Sequence, residues 1–191
     1  NDYNCSIDAM LTMGISNTII QNIFTIIYGI LFLGNINFSI DPNDQGEKCV
    51  PTENNSINYL NVACQLLGFQ SSNVISALCQ RKMSSGDVSV NQTVQQSTDN
   101  RDALSKALYS HLFNWLVQLL NKTIANKAES KDGDGNTAST STVEFIGLLD
   151  IFGFEIFKVN SFEQLCINYA NERLQRHFNE YMLLQEQIIY E

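Results

Sequence analysis

Positive charge is scarce in this chain. Of 191 residues, 11 are lysine or arginine against 20 aspartate or glutamate, a formal net charge of −9. Nucleic acid and anionic membrane surfaces are therefore not bound through bulk charge. Contact with any acidic polymer has to use local basic or apolar surface. Proline occurs only twice, as Pro42 and Pro51, both inside a polar stretch (41–55) that reads as a surface loop. The five cysteines (Cys5, Cys49, Cys64, Cys79, Cys166) contain no Cys-x-x-Cys pair and are odd in number. That favours reduced, buried cytosolic thiols over disulfides or zinc. No apolar run reaches the about 20 residues of a membrane span. The longest, 23–33, follows Gln21 and Asn22, is stopped by Gly34-Asn35, and reads as a buried core helix rather than a transmembrane segment. The opening residues do not read as a secretory leader, so the glycosylation-like triplets Asn4-Cys5-Ser6 and Asn121-Lys122-Thr123 read as accidental. There is no internal repeat and no Gly-x-x-x-x-Gly-Lys-Ser/Thr phosphate loop.

What is present is enough apolar sequence, 44% of residues, for one core. Ser16 is placed to cap a helix that ends at Gly34, a residue suited to a left-handed stop. Ser56 is placed to cap a helix through Leu67, stopped by Gly68, and Ser72 another through Cys79 or Gln80. Residues 81–98 are polar and partly alternating (Val88, Val90, Val94), as in an exposed hairpin-like loop. From about Thr98, apolar residues recur at helical spacing (Leu104, Leu108, Leu112, Leu116, Leu119) to near Ala125. Residues 126–142, rich in Gly, Ser, Thr, Asp and Lys, read as a flexible surface insertion. A last helix starts at Ser161, which forms a capping box with Gln164. Its stripe Phe162, Cys166, Ala170, Leu174, Phe178 and Met182 recurs every four residues. Glu172 stands four before Arg176, the favourable order for an ion pair.

The most informative stretch is Asp150-Ile151-Phe152-Gly153-Phe154-Glu155, at the end of the apolar run 143–149. A run that short and apolar predicts a strand buried on both faces, and in open α/β sheets ligands sit beyond the carboxyl ends of the strands. In Asp-x-x-Gly the aspartate is suited to hold magnesium, directly or through water. The glycine N–H is free to approach a phosphate with no side chain in the way. Glu155 is then left to pair with a basic group or to orient a water. The two residues between Asp150 and Gly153 exclude the kinase Asp-Phe-Gly triplet. The Gly153-Phe154-Glu155 continuation and the long helix do not match a small GTPase. His177 reads as a solvated or half-buried histidine, not a catalytic one.

Residues 147–176, through Ile156-Phe157-Lys158-Val159-Asn160 and Ser161 to Gln175, resemble the switch II loop and relay helix of a myosin motor domain. The resemblance extends over nearly the whole chain apart from 41–55 and 126–142. Ile23-Phe24-Thr25-Ile26-Ile27-Tyr28-Gly29-Ile30-Leu31-Phe32-Leu33-Gly34-Asn35-Ile36 is similar to the family's "IF-x-I-x-x-GIL-x-LGNI" segment. Leu66-Leu67-Gly68 with Leu78 and Arg81 resembles the next helical pair, and Arg101 to Tyr109 with Leu112 to Val117 the helix after the cardiomyopathy loop. His177, Leu183 and Ile188-Ile189 depart from the family's usual aromatic or acidic residues.

The resemblance implies a mainly α fragment of an α/β P-loop NTPase motor domain, with long helices and one buried central-sheet strand at about 143–149. Residues 1–142 would be a helical actin-binding subdomain with loops at 41–55, 81–98 and 126–142. Residues 143–155 would be the central strand and switch II, and 161–190 the relay helix. It further implies that Asp150 binds magnesium through water beside ATP and that the Gly153 N–H contacts the γ-phosphate. Glu155 would pair with a switch I arginine and help position the attacking water. Phe154 would anchor the loop in the apolar interior, and Asn171 and Phe178 would belong to the switch and relay. The loop at 81–98 would contact actin through Arg81, Lys82, Asp87 and Val88, with Asp87, Ser84 or Ser85 as its acidic or phosphorylatable residue. The expected setting is the cytoplasm and actin cytoskeleton. Light chains or calmodulin would bind a neck outside this sequence.

The sequence starts without a methionine and shows no phosphate loop, no switch I Asn-x-x-Ser-Ser-Arg segment, no converter and no lever arm. An internal fragment, inactive by itself, is therefore expected. Two other classes fit the residues: a catalytically inactive myosin-like filament-binding scaffold, and a helical interaction module in which 143–155 is only core strand and turn.

Overall fold

The computed structural model describes residues 2–42, 48–52, 55–82, 89–129 and 146–190. The chain divides into two units, Asn1–Asn136 and Thr137–Glu191. In the first, helices α1 (Asp2–Thr12) and α2 (Asn17–Gly34) precede strands β1 (Phe38–Ile40) and β2 (Cys49–Pro51). Helices α3 (Asn55–Leu67) and α4 (Ser71–Cys79), strands β3 (Gln80–Lys82) and β4 (Ser89–Asn91), and the long helix α5 (Val94–Glu129) follow. The second unit carries α6 (Phe162–Tyr190).

Helix α2 starts where its sequence says. Ser16 is the N-cap, and its hydroxyl accepts the Ile19 N–H at 3.4 Å. It ends differently. Gly34 stays helical and Asn35, at φ −88°, is the cap. The Asn35 and Ile36 amides fold back onto the Phe32 and Leu33 carbonyls, which brings Ile36 straight into the core with no exposed surface. Helix α3 does stop at Gly68, whose φ is +72°. The Phe69 N–H closes the helix onto the Cys64 carbonyl at 2.9 Å.

Two expected caps are displaced. Ser56 lies inside α3, is buried, and accepts the Asn37 N–H at 3.0 Å, so its hydroxyl ties the start of β1 to the helix. Helix α4 begins at Ser71, two residues earlier than a cap at Ser72 would place it, and Gln70 precedes it without a side-chain cap. Ser71 bonds instead to the Asn61 side chain at 3.1 Å.

The stretch 41–55 is not all loop. β2 pairs antiparallel with β1 in the register Phe38↔Pro51, Ser39↔Val50 and Ile40↔Cys49. Cys49 is buried in the core beside Leu33, Leu60 and Cys79. The hairpin expected near 81–98 forms with Gln80↔Asn91, Arg81↔Val90 and Lys82↔Ser89. Its tip, 83–88, lies outside the described residues. Helix α5 begins at Val94 rather than near Thr98 and continues to Glu129 rather than ending near Ala125. A reciprocal box sets its start: the Gln96 N–H reaches Thr93 Oγ1 at 3.2 Å and the Thr93 N–H reaches Gln96 Oε1 at 3.0 Å. The 130–142 part of the expected surface insertion lies outside the described residues.

The core of this unit is laid between α2, α3, α4 and α5. Helices α2 and α3 approach so closely at Gly29 that a Cβ there would stand 2.6 Å from Leu67 Cγ. Arg101 joins α5 to the entry of β1: its guanidinium donates to the Ile36 carbonyl and holds Asp102 Oδ1 at 2.7 and 2.8 Å. Asn100 Nδ2 donates to the Leu78 carbonyl at 3.0 Å. By length and composition α2 is apolar enough to cross a membrane. Here it packs on α3 and α5 and buries Ile20, Ile23, Gly29 and Leu33, as a core helix does.

The buried strand expected at 143–149 is not formed among the described residues. Residues 146–149 are in no strand, and Ile146, Leu148 and Leu149 are 95%, 96% and 74% exposed. A strand exists only through a paired neighbour. The strands among the described residues are used up in two local hairpins.

Three of the five free thiols, Cys49, Cys64 and Cys79, are buried, whereas Cys5 and Cys166 are exposed rather than buried as expected. Burial, reinforced by the neighbouring Cys49 thiol, pushes the Cys79 thiol from 9.0 up to about 12. The buried Ser97 hydroxyl, near enough to Cys79 to oppose that shift weakly, has no well-formed hydrogen bond.

Two outcomes are expected. Gly29→Ala forces Leu67 aside and lowers unfolding free energy by about 1–3 kcal/mol, the usual range for overpacking, measured by urea denaturation. An unchanged midpoint would show that the helices separate freely. The raised Cys79 value gives stability that is complete below pH 9.0 and is lost as pH rises through about 12, because the unfolded thiol ionises first. Across that window the unmodified chain should lose stability more steeply than Cys79→Ala. Equal slopes would refute the coupling.

Candidate functional site

The segment 146–157 lies in no helix or strand, and those of its peptide groups that are not left to water find side-chain partners. Asparagine side chains supply them. Asn168 Oδ1 accepts the Glu155 N–H at 2.8 Å and Asn168 Nδ2 donates to the Glu155 carbonyl at 2.8 Å. Asn160 does the same for Phe157, with both bonds at 2.9 Å. Asn171 Nδ2 donates to the Phe152 carbonyl at 2.9 Å and to the Ile167 carbonyl at 3.0 Å. Gln164 Nε2 reaches the Glu155 carboxylate at 3.3 Å. Residues 164, 168 and 171 are spaced four and three apart and so share one face of α6.

The start of α6 is the half of a capping box that Gln164 provides. Its Oε1 accepts the Ser161 N–H at 2.8 Å, while the Ser161 hydroxyl lies 2.6 Å from both Gln164 Oε1 and Glu163 Oε2. The 29-residue helix spans about 43 Å at 1.5 Å per residue. None of its residues is buried. The stripe expected to pack is therefore open here: Phe162, Phe178 and Met182 are 75%, 58% and 44% exposed. Arg176 pairs with Glu180 at 2.7 Å rather than with Glu172. That bond, and then its charge, raises the arginine's affinity for its proton and lowers that of the glutamate. His177 is exposed, as a solvated histidine should be.

Within the acidic-glycine loop, Asp150 is exposed and Glu155 half-buried. A Cβ built on Gly153 meets nothing within 4 Å, so no packing in this chain demands a glycine there. Phe154, expected in an apolar interior, is 57% exposed. No group of three or more His, Cys, Asp or Glu stands together among the described residues. Asp150 thus offers a lone carboxylate, which fits a magnesium ion whose other ligands are phosphate and water, and does not fit a closed protein cage.

Arg81 and Lys82 are exposed on β3, opposite Val90 and Ser89, and Val90 is 48% exposed. Asp87 and Val88, with Ser84 and Ser85, lie outside the described residues. Sequence reasoning singled out Asn171 but passed over Asn160 and Asn168 as site residues. The available signal was the amide series Gln164, Asn168, Asn171 at helical spacing beside an unpaired loop.

The acidic-glycine loop is thus strapped to the first turns of a long helix by side-chain amides. All of the chain, residues 1–191, matches the family described as Myosin head (motor domain). Among relatives, it is 39% identical to Myosin-H heavy chain of Dictyostelium discoideum, covering 96% of this chain and 11% of that one. It is 37% identical to Myosin-6 and 38% identical to Myosin-9 of Arabidopsis thaliana, covering 99% and 100% of this chain and 12% of each relative. The chain belongs to the myosin head family, and with it to the P-loop NTPase fold. It spans about an eighth or less of the length of these relatives.

Proposed function

We propose that the chain is part of an actin-based, ATP-driven motor in which 150–155 is switch II and α6 is the relay helix. The observation that carries this reading is the set of hydrogen bonds from Asn168, Asn171 and Gln164 to Glu155 and Phe152. A loop held to one face of a long rod cannot shift without moving the rod or breaking those bonds. The glycine is compatible with this reading: its Cβ position faces open space, so no side chain of its own stands between its N–H and a phosphate.

In this reading 143–149 becomes the buried central strand once neighbouring strands of the intact parent flank it, and its exposed Ile146, Leu148 and Leu149 supply the apolar faces. Phe154 enters the same interior. Asp150 binds the magnesium of Mg–ATP through water, where the ion neutralises phosphate charge. The Gly153 N–H touches the terminal phosphate. Glu155 pairs with a switch I arginine and orients water, the positioning and electrostatic work that phosphoryl transfer requires. Asn171 and Phe178 belong to the transmission path along α6. Residues 1–142 form the helical actin-binding subdomain, and the 81–98 hairpin presents Arg81 and Lys82 to the acidic filament, with Asp87 and Val88 at its tip. The parent works in the cytoplasm on the actin cytoskeleton and binds light chains or calmodulin through its neck. The 191 residues alone carry too few phosphate contacts to hydrolyse ATP.

Glu155→Ala in the intact parent is expected to lower actin-activated ATPase at least 100-fold while fluorescent-nucleotide binding changes less than about threefold, since a transition-state contact is lost and ground-state binding is not. Unchanged turnover would sink the assigned role.

A further inference from the structure

We propose that Cys49 and Cys79 are a redox pair: oxidised by hydrogen peroxide, they close a disulfide that ties the β1–β2 hairpin to the base of the β3–β4 hairpin. Cys49 opens β2, across from Ile40. Cys79 closes α4 and is followed directly by β3. Helix α4 packs on β2, and the two side chains meet in the apolar cluster, 1% and 3% exposed. Their thiols are within hydrogen-bonding reach of each other. Cys64 is buried in the same cluster but is not among the groups that act on the Cys79 thiol. The Ser97 hydroxyl lies against Cys79, wholly buried and without a well-formed hydrogen bond. It is a donor available to a neighbouring sulfur. Both cysteines are free thiols here, the resting form of the pair.

Burial by itself keeps a thiol inert, because it excludes both the reagent and the thiolate form. The strand that carries Cys49 is where that protection is weakest. β1 and β2 are three residues each and pair only with one another. A two-stranded ribbon of that length opens at little cost. Cys79 is held more firmly. It ends a helix that the Gln80 N–H closes onto the Ser76 carbonyl, and its own carbonyl accepts the Gln92 N–H at 2.8 Å. Burial also keeps it protonated. Cys49 is therefore the thiol that meets the oxidant. Its sulfur attacks one peroxide oxygen, the O–O bond breaks, and the thiol proton leaves with the other oxygen as water, giving a sulfenic acid. When the ribbon closes, the Cys79 sulfur attacks the Cys49 sulfur and the S–O bond breaks. The Cys79 proton departs with the hydroxyl as a second water. The two thiols give up two electrons and two protons, and the peroxide is reduced to water. Because the Gln92 bond to Cys79 closes the base of the β3–β4 hairpin, fixing Cys79 steadies the hairpin on which Arg81 and Lys82 stand exposed.

The test treats the intact parent protein with hydrogen peroxide, blocks the remaining thiols in denaturant and maps the peptides by mass spectrometry. Chymotrypsin is the protease, since Tyr59 and Phe69 separate Cys49, Cys64 and Cys79, whereas no lysine or arginine lies between Cys49 and Cys79. The expected product is a peptide pair joining Cys49 to Cys79, two hydrogens lighter than its parts and split by dithiothreitol, with Cys64 recovered as a thiol. Hydrogen exchange at the Gln92 amide is expected to slow about tenfold on oxidation and to recover on reduction. Cys64→Ala keeps the crosslink. Cys79→Ala abolishes it and carries Cys49 on to the sulfinic acid. Recovery of Cys49 and Cys79 as thiols under conditions that fully oxidise the exposed Cys166 overturns the proposal, and so does a crosslink from either one to Cys64 instead. A linked pair that leaves Gln92 exchange unchanged overturns the tie to the second hairpin. If Cys79→Ala does not fold, the peptide map and the Gln92 exchange of the unsubstituted protein decide the matter by themselves.

Discussion

A peptide segment without a neighbouring strand still has to satisfy its N–H and C=O groups, and that requirement shapes the second unit. Asn160 and Asn168 answer it with side-chain amides, each closing both groups of one backbone residue. The consequence is mechanical. The loop carrying Gly153 and Glu155 is bound to the first turns of a helix about 43 Å long, by hydrogen bonds that hold both backbone groups of residue 155 and the carbonyl of residue 152.

The first unit is held by different physics. Its centre is an apolar cluster on α2, α3, α4 and the β1–β2 hairpin, with Leu33, Ile36 and Leu60 almost wholly removed from water. Removal of apolar surface from water favours that arrangement, and Gly29 lets two helix backbones come close enough to complete it. Polar contacts then fix the register. Ser56 holds Asn37, Arg101 holds Ile36 and Asn100 holds Leu78, each joining a helix to a main-chain group that packing alone leaves unpaired. This frame carries the hairpin from which Arg81 and Lys82 project.

Much of the architecture was legible from the chain alone because its signals are local. Ser16 and Gly68 mark the ends they are expected to mark. The alternation near 88–94 foretold a hairpin, and the run of leucines after Thr98 foretold a long helix. Errors arose where a residue had a better partner far away. Ser56 reads as a cap, but Asn37 claims its hydroxyl from across the fold. Residues 41–55 read as a loop because two prolines and a glycine sit there, yet Cys49 is drawn into the core and makes a strand of its surroundings. The pairing of Glu172 with Arg176 failed for a local reason: Glu180 offers the same four-residue spacing on the other side, and Arg176 reached forward to it.

By itself the sequence determined the helices, their principal caps, the family and the acidic-glycine loop at 150–155, since each is written in contiguous residues whose spacing is the signal. Tertiary structure decided which polar side chains serve the backbone: Asn168 rather than a strand on Glu155, Ser56 on Asn37, Arg101 on Ile36. It also decided that the apolar run at 146–149 stays exposed here. A strand is a property of a pair, and hydrophobicity along one chain specifies the wish to be buried without supplying the neighbour that buries it.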